Sequence, residues 1–302
     1  MRIGVSLQDP SGPSPMTALR EELQRAADQG FASAWMSNIF GVDALTALAV
    51  AGSGVPGIEV GTAVVPTYPR HPAALAQQAR TVAAAVDGRL VLGIGPSHKI
   101  VIEDMFGYDF SKPILHMKEY LAILLPLLDG QPASFTGTTV RANITLTTPS
   151  PGRVPVVIAA LGGQMLRLAG SQADGTVLWM TGPATVRDHI VPTITEAADS
   201  AGRPSPRVVC ILPVCVTDDP DQARERAARI FAIYGQLPSY RAMLDREGAS
   251  GPADVAIVGD EDTVAAQIGT LAEAGVTDFV ALEYTGGPDG ARTRTFLRTL
   301  LT

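Results

Sequence analysis

Short apolar runs rich in β-branched residues recur along the chain, and each ends in polar residues or glycine. Eight of these runs are predicted to be buried strands: 3–7, 33–36, 58–65, 90–94, 156–160, 176–180, 208–216 and 278–282. Stretches with apolar residues at helical spacing lie between most of them, such as 17–29 and 263–274, each followed by a glycine suited to a helix end. A repeated strand and helix requires parallel strands joined by right-handed crossovers.

The even alternation of eight strands with helices favours a closed (β/α)8 TIM barrel over an open doubly wound sheet. The segments AADQGFASAWM and LAEAGVTDFVAL support this repetition, because both run from a helix through glycine into a buried strand. A barrel uses about this length as one unit, so residues 1–302 are expected to form a single domain.

Two segments interrupt the alternation. An insertion of about residues 97–151 follows the fourth strand, and residues 131–151 within it hold Thr-rich runs around a glycine turn, which is typical of a β-hairpin. A second segment, 235–254, is predicted to be irregular. Long loops in compact domains more often carry function than not, so residues 97–113 and 235–254 are candidates for setting specificity.

The overall composition indicates a globular protein with a large core, since 46% of residues are hydrophobic and 18% are charged. The longest apolar stretches fall far short of the roughly 20 residues that a membrane span needs. The first residues lack the apolar core of a signal peptide, so we expect a cytoplasmic protein. Cys210 and Cys215 fall on opposite faces of one predicted strand and are expected to be buried and unpaired, and no metal site is predicted.

The net charge of −7 argues against a nucleic-acid or anionic-membrane partner, because such surfaces need clustered positive charge. A small molecule is the expected partner. Lysine occurs only at Lys99, Lys112 and Lys118, whereas arginine and alanine abound. This bias is expected of a GC-rich bacterial genome.

A glycine pair provides the clearest candidate for an anion site. In VVIAALGGQMLRLAG a buried strand turns through Gly162 and Gly163 directly into a helix, whose free N–H groups and dipole suit a phosphate. The alternative is that Gly-Gly only makes a tight turn between strand and helix.

The sequence LVLGIGPSH contains a second glycine pattern. Gly93 and Gly95 are not followed by a third glycine and a helix, so the Rossmann fingerprint fails. The glycines are instead expected to let a flat ligand approach the barrel mouth, with His98 at its rim. His98 is either a proton-transfer group or an ordinary solvated side chain.

Four ordered blocks resemble one known family: 61–79, 88–98, 154–183 and 257–282. Together they resemble the bacterial-luciferase-like superfamily across essentially the whole chain. Within it they are most similar to the deazaflavin (coenzyme F420)-dependent branch, which includes methylenetetrahydromethanopterin reductase and F420-dependent glucose-6-phosphate dehydrogenase.

The resemblance implies a barrel whose mouth is covered by the flat cofactor ring. A bulge at the end of the third strand, at Ala63 and Val64, would back the ring and often contains a non-prolyl cis peptide in this family. The cofactor phosphate would lie at residues 162–165. The residues predicted to bind the cofactor are Thr62, Ala63, Val64, Gly95, Gly162, Gly163, Gln164, Met165 and Met180.

Departures from the branch affect the predicted chemistry. The Asp-His pair of the glucose-6-phosphate dehydrogenases is replaced by Asn38 and Ile39, so that substrate is not expected. His98 stands where relatives carry an acidic residue and is predicted to exchange a proton with substrate, while Asn38 is predicted to hydrogen-bond cofactor or substrate. Arg70 and His71 match a family motif, but we favour a role in fixing the loop into the third helix.

The resulting prediction is an oxidoreductase that transfers a hydride between C5 of F420 and a small organic substrate. The scarcity of lysine hints at an actinobacterial genome and favours F420. One alternative is an FMN-dependent two-component monooxygenase of the same fold, and another is a non-catalytic cofactor-binding barrel. Members of the family are often dimers, so a homodimer is compatible with the resemblance.

Overall fold

The computed structural model describes residues 1–8, 14–149 and 152–301. Its main sheet closes on itself, because each of eight parallel strands pairs with the next along the chain and the eighth pairs with the first. The predicted (β/α)8 barrel is therefore confirmed. The strands are β1 (Arg2–Leu7), β2 (Ser33–Met36), β3 (Glu59–Thr62), β4 (Leu90–Gly95), β5 (Val156–Ile158), β6 (Gly175–Trp179), β7 (Arg207–Val216) and β8 (Asp278–Glu283).

Helices cover the outside of the barrel, and many begin with a proline, whose fixed φ suits the first turn. The longer ones are α1 (Pro15–Asp28), α2 (Ala44–Gly52), α3 (Pro72–Ala85), α4 (Pro113–Leu128), α5 (Gly163–Gln172), α6 (Val191–Ser200), α7 (Pro220–Ile230), α8 (Pro238–Glu247), α9 (Glu261–Glu273) and α10 (Gly287–Thr299). Short helical turns are Ile100–Met105, Pro183–Thr185, Val186–Ile190, Ala232–Gly235 and Pro252–Val255.

The third predicted strand, 58–65, is divided in the structure. Gly61 pairs with Val91, and a short strand, Val65–Pro66, resumes the pairing at Ile94. Three residues, 62–64, thus face two, 92–93, which makes a β-bulge with one extra residue. The peptide bond between Ala63 and Val64 within it is cis. The bulge and the cis bond that the resemblance implies are both present.

The barrel interior forms a small core of its own, distinct from the larger core between strands and helices. Trp35 fills its centre and donates from its indole nitrogen to the Ser33 hydroxyl at 2.9 Å. At the N-terminal ends of the strands, Arg207 pairs with Glu59 at 2.9 Å and with Asp278 at 2.7 Å. This end of the barrel is therefore closed by a compensated ion cluster, and its apolar interior opens only toward the other end.

The segment after β4 contains a regular barrel helix as well as irregular parts. The predicted hairpin is confirmed as antiparallel strands Ala133–Thr136 and Arg141–Ile144, although residues 150 and 151 of the predicted range lie outside the described residues. The buried Glu119 carboxylate of α4 accepts hydrogen bonds from the amides of Thr138 and Thr139, at 2.8 and 2.6 Å. These bonds hold the hairpin against the barrel and lower the pKa of Glu119 to about 2, against the opposing effect of its burial.

The prediction that residues 235–254 are irregular is wrong in part, since α8 occupies 238–247. The helix buries only two residues, Met243 and Leu244, so its apolar signal is short. A three-residue strand, Ile257–Gly259, was also not predicted; it pairs with β7 outside the barrel ring.

Three expected absences can be compared with the part of the chain that the structure describes. Across these residues, no helix is both long and apolar enough to cross a membrane. Within the same ranges, no group of three or more potential metal ligands occurs. Cys210 and Cys215 are buried and carry free thiols, and burial raises the pKa of both.

Gly61 provides a test of the interior packing. A Cβ at this position would overlap the Trp35 ring, so we expect Gly61→Ala to lower the free energy of unfolding by about 1–3 kcal/mol. Gly269 is a matched control, because it lies in α9 with open space around it and Gly269→Ala should raise stability by up to about 1 kcal/mol. Urea unfolding of both variants measures this; a Gly61→Ala protein as stable as the parent would contradict the packing.

Candidate active site

A cleft with two lobes lies at the C-terminal ends of the barrel strands. The first lobe, about 640 Å³, extends between β4, β5 and α5, and the second, about 460 Å³, extends toward the segment after β2. Both volumes are in the range of small-molecule sites. The residues that line both lobes are Ala63, Val64, Ser97, His98, Trp179, Ile211, Leu237 and Tyr240.

The glycines of the GxG pattern position the bulge that floors the cleft. A Cβ at Gly93 would overlap the Thr62 carbonyl oxygen, and one at Gly95 would lie 2.8 Å from Val64 Cγ2. Neither glycine lines either lobe. The expectation that they admit the ligand directly is therefore replaced by an indirect role, in which they let the bulge pack onto β4.

Thr62, which was predicted to bind the cofactor, instead forms hydrogen bonds to the backbone of β4. Its hydroxyl donates to the Gly93 carbonyl at 2.8 Å and accepts from the Gly93 amide at 2.9 Å. The side chain is fully buried and lines neither lobe. Thr62 thus fixes the bulge, and Ala63 and Val64 present it to the cleft.

His98 lies at the junction of the two lobes. It follows Ser97, whose φ of 63° turns the chain away from β4. The His98 ring centroid is 5.4 Å from that of Tyr240, and burial lowers the pKa of the imidazole below 6.5. At neutral pH the ring is therefore uncharged and can accept a proton.

Asn38 lines the second lobe, on the side that β2 leads into. Its Oδ1 accepts a hydrogen bond from the Ala44 amide at 3.0 Å, which fixes the orientation of the side-chain amide. The Nδ2 group has no hydrogen-bond partner in the ranges the structure covers. Asn38 and His98, the two predicted catalytic residues, thus border the same lobe, and Asn38 has a free donor there.

The N-terminus of α5 borders the first lobe. Gly162 is its N-cap residue, and no side chain caps the first turn, so the amides there have no side-chain acceptor. Gly162 and Met165 line the lobe, whereas Gly163 and the exposed Gln164 do not. The Arg167 guanidinium reaches back to within 3.4 Å of the position that a Cβ on Gly163 would take. This arrangement can hold an anion.

Aromatic residues form one wall of the cleft, and sequence reasoning found only part of it. Trp179 packs edge-to-face on Tyr234 at 5.5 Å, and Tyr234 packs on Tyr240 at 5.4 Å. Trp179 and Phe106 line the cleft, whereas Tyr108, Tyr284 and Met180, which was predicted to bind the cofactor, do not. Met180 is instead fully buried, with a left-handed φ of 52°.

Arg70 and His71 fix the loop into α3, as the sequence favoured. The Arg70 guanidinium pairs with the Asp43 carboxylate, and Tyr120 donates to the Arg70 carbonyl at 2.9 Å. His71 Nδ1 accepts from the Ala73 amide, and its Nε2 donates to the Arg141 carbonyl at 3.0 Å. The loop behind the bulge is thereby tied to α2, α3, α4 and the hairpin.

A buried histidine on α4 supports the same loop from behind. His116 bonds the Thr67 hydroxyl through Nε2 at 3.1 Å and stacks on the Tyr68 ring at 3.9 Å. Burial lowers the pKa of His116 to about 4, against the smaller opposing effect of the Glu119 charge. His116 is therefore uncharged near neutral pH.

Together, a closed eight-stranded barrel and a ligand-sized cleft at its C-terminal face define a TIM-barrel protein with its site in the usual place. The sequence profile of the luciferase-like monooxygenases matches residues 1–278, and the chain belongs to that family. The resemblance identified from the four sequence blocks is confirmed.

Several relatives extend over nearly the whole chain. The 5,10-methylenetetrahydromethanopterin reductase of Methanolobus tindarius is 27% identical over 284 residues, which cover 93% of this chain and 86% of the reductase. The structure of the coenzyme F420-dependent tetrahydromethanopterin reductase of Methanopyrus kandleri is similar with a TM-score of 0.82 and 23% identity, covering 98% of this chain and 97% of that one.

A third relative carries a different cofactor. The oxygenating constituent of 3,6-diketocamphane monooxygenase from Pseudomonas putida, in complex with FMN, has a TM-score of 0.74 and 18% identity, covering 100% of this chain and 96% of that one. At these identities the structural likenesses establish the shared fold.

His116 makes stability depend on pH. Its folded pKa of about 4 lies below the ordinary 6.5, so the unfolded chain binds the extra proton between these values. The contribution of His116 to the free energy of unfolding is therefore complete above pH 6.5 and decreases as the pH falls toward 4. In urea unfolding, we expect the free energy of unfolding of His116→Gln to fall less over this pH range than that of the parent. The remaining decrease would come from His98 and other groups. The same dependence on pH in both proteins would show that His116 is not buried in its neutral form.

Proposed function

We propose that this protein is an F420-dependent oxidoreductase that transfers a hydride between the deazaflavin and a small organic substrate. The observation that carries the proposal is a single cleft that joins the uncapped start of α5, the bulge at Ala63 and Val64, and the His98 imidazole. The 27% identity with a putative coenzyme F420-dependent oxidoreductase of Mycobacterium tuberculosis, over 81% of this chain and 74% of that protein, supports this choice of cofactor.

The residues of the first lobe fit a flat cofactor with a phosphate. Ala63, Val64, Ala159, Val177 and Ile211 provide apolar surface for a ring at the barrel mouth. The free amides at Gly163 and beyond, together with the Arg167 guanidinium, would hold the phosphate. When bound, F420 supplies a ring carbon that donates or accepts a hydride.

The protein's own part in the reaction is to orient the reactants and move a proton. The apolar floor and the aromatic wall exclude water from the junction of the lobes. His98 at that junction is uncharged at neutral pH, so it would accept the proton of a substrate hydroxyl as the hydride leaves carbon. The free Asn38 amide would donate to the substrate oxygen and hold it in place.

An FMN-dependent monooxygenase is the second candidate, because the fold is shared with the FMN-bound camphane enzyme. Both cofactors carry a flat ring and a phosphate, so the shape of the first lobe suits either. The experiment that separates them is a binding titration with each cofactor.

We expect F420 to bind with a measurable shift in absorbance or fluorescence and FMN to bind at least about tenfold more weakly. Arg167→Glu should weaken F420 binding by about tenfold, more at low salt than at high salt, because it reverses a charge near the phosphate. Arg298→Glu makes the same charge change in the last turn of α10 and should leave binding unchanged. Tighter binding of FMN than of F420 would overturn the proposed cofactor.

His98 provides the test of catalysis. His98→Ala should reduce turnover by about 10²-fold or more while F420 affinity changes only a few-fold. In the parent, the rate of alcohol oxidation should fall as the pH drops through the lowered His98 pKa, since the base becomes protonated. His98→Gln should not show this decrease at low pH. Turnover retained in His98→Ala would remove this residue from the mechanism.

A further inference from the structure

The two lobes of the cleft differ in the number of charged side chains that line them, and this difference bears on the substrate. We propose that the second lobe binds an uncharged, mainly hydrocarbon molecule that carries one hydrogen-bond-accepting oxygen, such as a ketone or the corresponding alcohol. That this molecule is the substrate rests on the proposed function above. The preference of the second lobe for such a molecule rests on the residues that line the lobe.

Apolar side chains dominate the entrance of the second lobe. Ile39, Phe40 and Phe106 line it and are 56%, 63% and 43% exposed, respectively. The Phe40 and Phe106 rings lie 6.4 Å apart, so they form a continuous apolar rim contributed by two different loops. Large apolar side chains clustered in water are typical of a binding groove, since covering them is favourable by about 25 cal/mol per Å².

The interior of the lobe continues this surface. Val101, Trp179, Ile211, Leu237 and Leu282 line it, and Ile211 belongs to the apolar barrel core. A hydrocarbon substrate can therefore be buried from the rim down to the junction with the first lobe.

Charge within the second lobe is paired and shielded. Among its described lining residues Arg70 alone carries a permanent charge, and its guanidinium pairs with the Asp43 carboxylate through Nη2. Within the part of the chain that the structure describes, its Nη1 has no hydrogen-bond partner but is itself buried, so it presents no exposed cation to the lobe. Asp43 is held in turn by the Thr46 amide at 2.9 Å and the Gln78 amide group at 3.2 Å. An anionic substrate would have to enter without a free cation, which carries a large desolvation cost.

The first lobe is lined by more charged side chains, Lys99, Glu103 and Asp104, and Lys99 pairs with Glu103 at 3.6 Å. The Lys99 side chain is 74% exposed, so charged parts of a ligand would be better solvated there than in the second lobe. This division also disfavours a sugar phosphate as substrate, in line with the absence of the Asp-His pair at Asn38 and Ile39.

Besides Arg70, the polar side chains that line the second lobe are Asn38 and His98 together with the hydroxyls of Ser6, Ser37, Ser97, Tyr234 and Tyr240. Asn38 and His98 are the pair suited to a substrate oxygen. The Asn38 Nδ2 group lacks a partner among the described residues, and no hydrogen bond occupies the His98 ring there. One carbonyl or hydroxyl oxygen placed between them would satisfy both, with the attached carbon at the junction of the lobes.

The test uses two ligands of nearly equal size and shape, 4-isopropylcyclohexanone and 4-oxocyclohexanecarboxylate, which differ in the charge of the substituent. Binding to the parent protein without cofactor is measured by ligand-observed NMR near neutral pH. We expect the neutral ketone to bind about tenfold or more tightly than the carboxylate. Equal or tighter binding of the carboxylate, or no saturable binding of the neutral ketone at millimolar concentration, would overturn the proposal.

Two variants locate the binding. Phe106→Lys places a cation on the exposed rim and should weaken the neutral ketone while improving the carboxylate, which narrows the preference by about tenfold. Ile144→Lys makes a comparable change at a 40% exposed residue of the hairpin and should leave both affinities unchanged. A preference that Phe106→Lys does not alter would place the ketone elsewhere and overturn the assignment to this lobe.

The same ligands separate this inference from the proposed function. Ketone binding that follows the expected pattern, together with failure of F420 to bind, would overturn the cofactor proposal and support the second lobe as an apolar site. F420 binding together with a preference for the carboxylate would support the cofactor proposal and overturn the inference about the second lobe.

Discussion

The packing of the β3 bulge against the two glycines of β4 is the constraint on which the cleft depends. Gly93 leaves room for the Thr62 carbonyl, and Gly95 leaves room for the Val64 side chain. The Thr62 hydroxyl then bonds both backbone groups of Gly93, so the bulge is fixed to β4. This contact turns the chain of Ala63 and Val64 across the barrel mouth, where it floors both lobes.

Paired charged residues and apolar side chains occupy different levels along the barrel axis. The ion cluster of Arg207, Glu59 and Asp278 closes one end, where each charge has a partner, and Trp35 fills the middle. The other end has mainly apolar walls, and His98 lies at the junction of the two lobes there. A neutral imidazole is stable in such surroundings, because burial disfavours its charged form.

Much of the fold could be predicted from the sequence, since buried parallel strands give near-continuous apolar runs and each ends at a clear polar or glycine boundary. The bulge at Ala63 and Val64 came from family resemblance, because no local pattern marks an extra residue in a strand. α8 was missed although Tyr240, Met243 and Leu244 have helical spacing, because the run is short and its flanks are polar.

The site could be predicted only where it is local in sequence. Asn38, His98 and Gly162 lie in loops that follow strand ends, and Met165 lies in the first turn of the next helix; all four line the cleft, as their place in the sequence predicts. Tyr234 and Tyr240 reach the cleft from a segment far along the chain, and their position depends on how α8 packs, which a sequence pattern does not encode. Thr62 was predicted to bind the cofactor, but it lies at the start of the bulge, where its hydroxyl bonds the Gly93 backbone and does not line the cleft.

Because the barrel is closed at the N-terminal ends of its strands, its interior is reached from the C-terminal face. Trp35 and the ion cluster below it block passage along the axis, so every molecule that reaches the floor must enter and leave through the upper face. A ligand of the first lobe and a ligand of the second must therefore both approach from this face, each through its own lobe of the cleft.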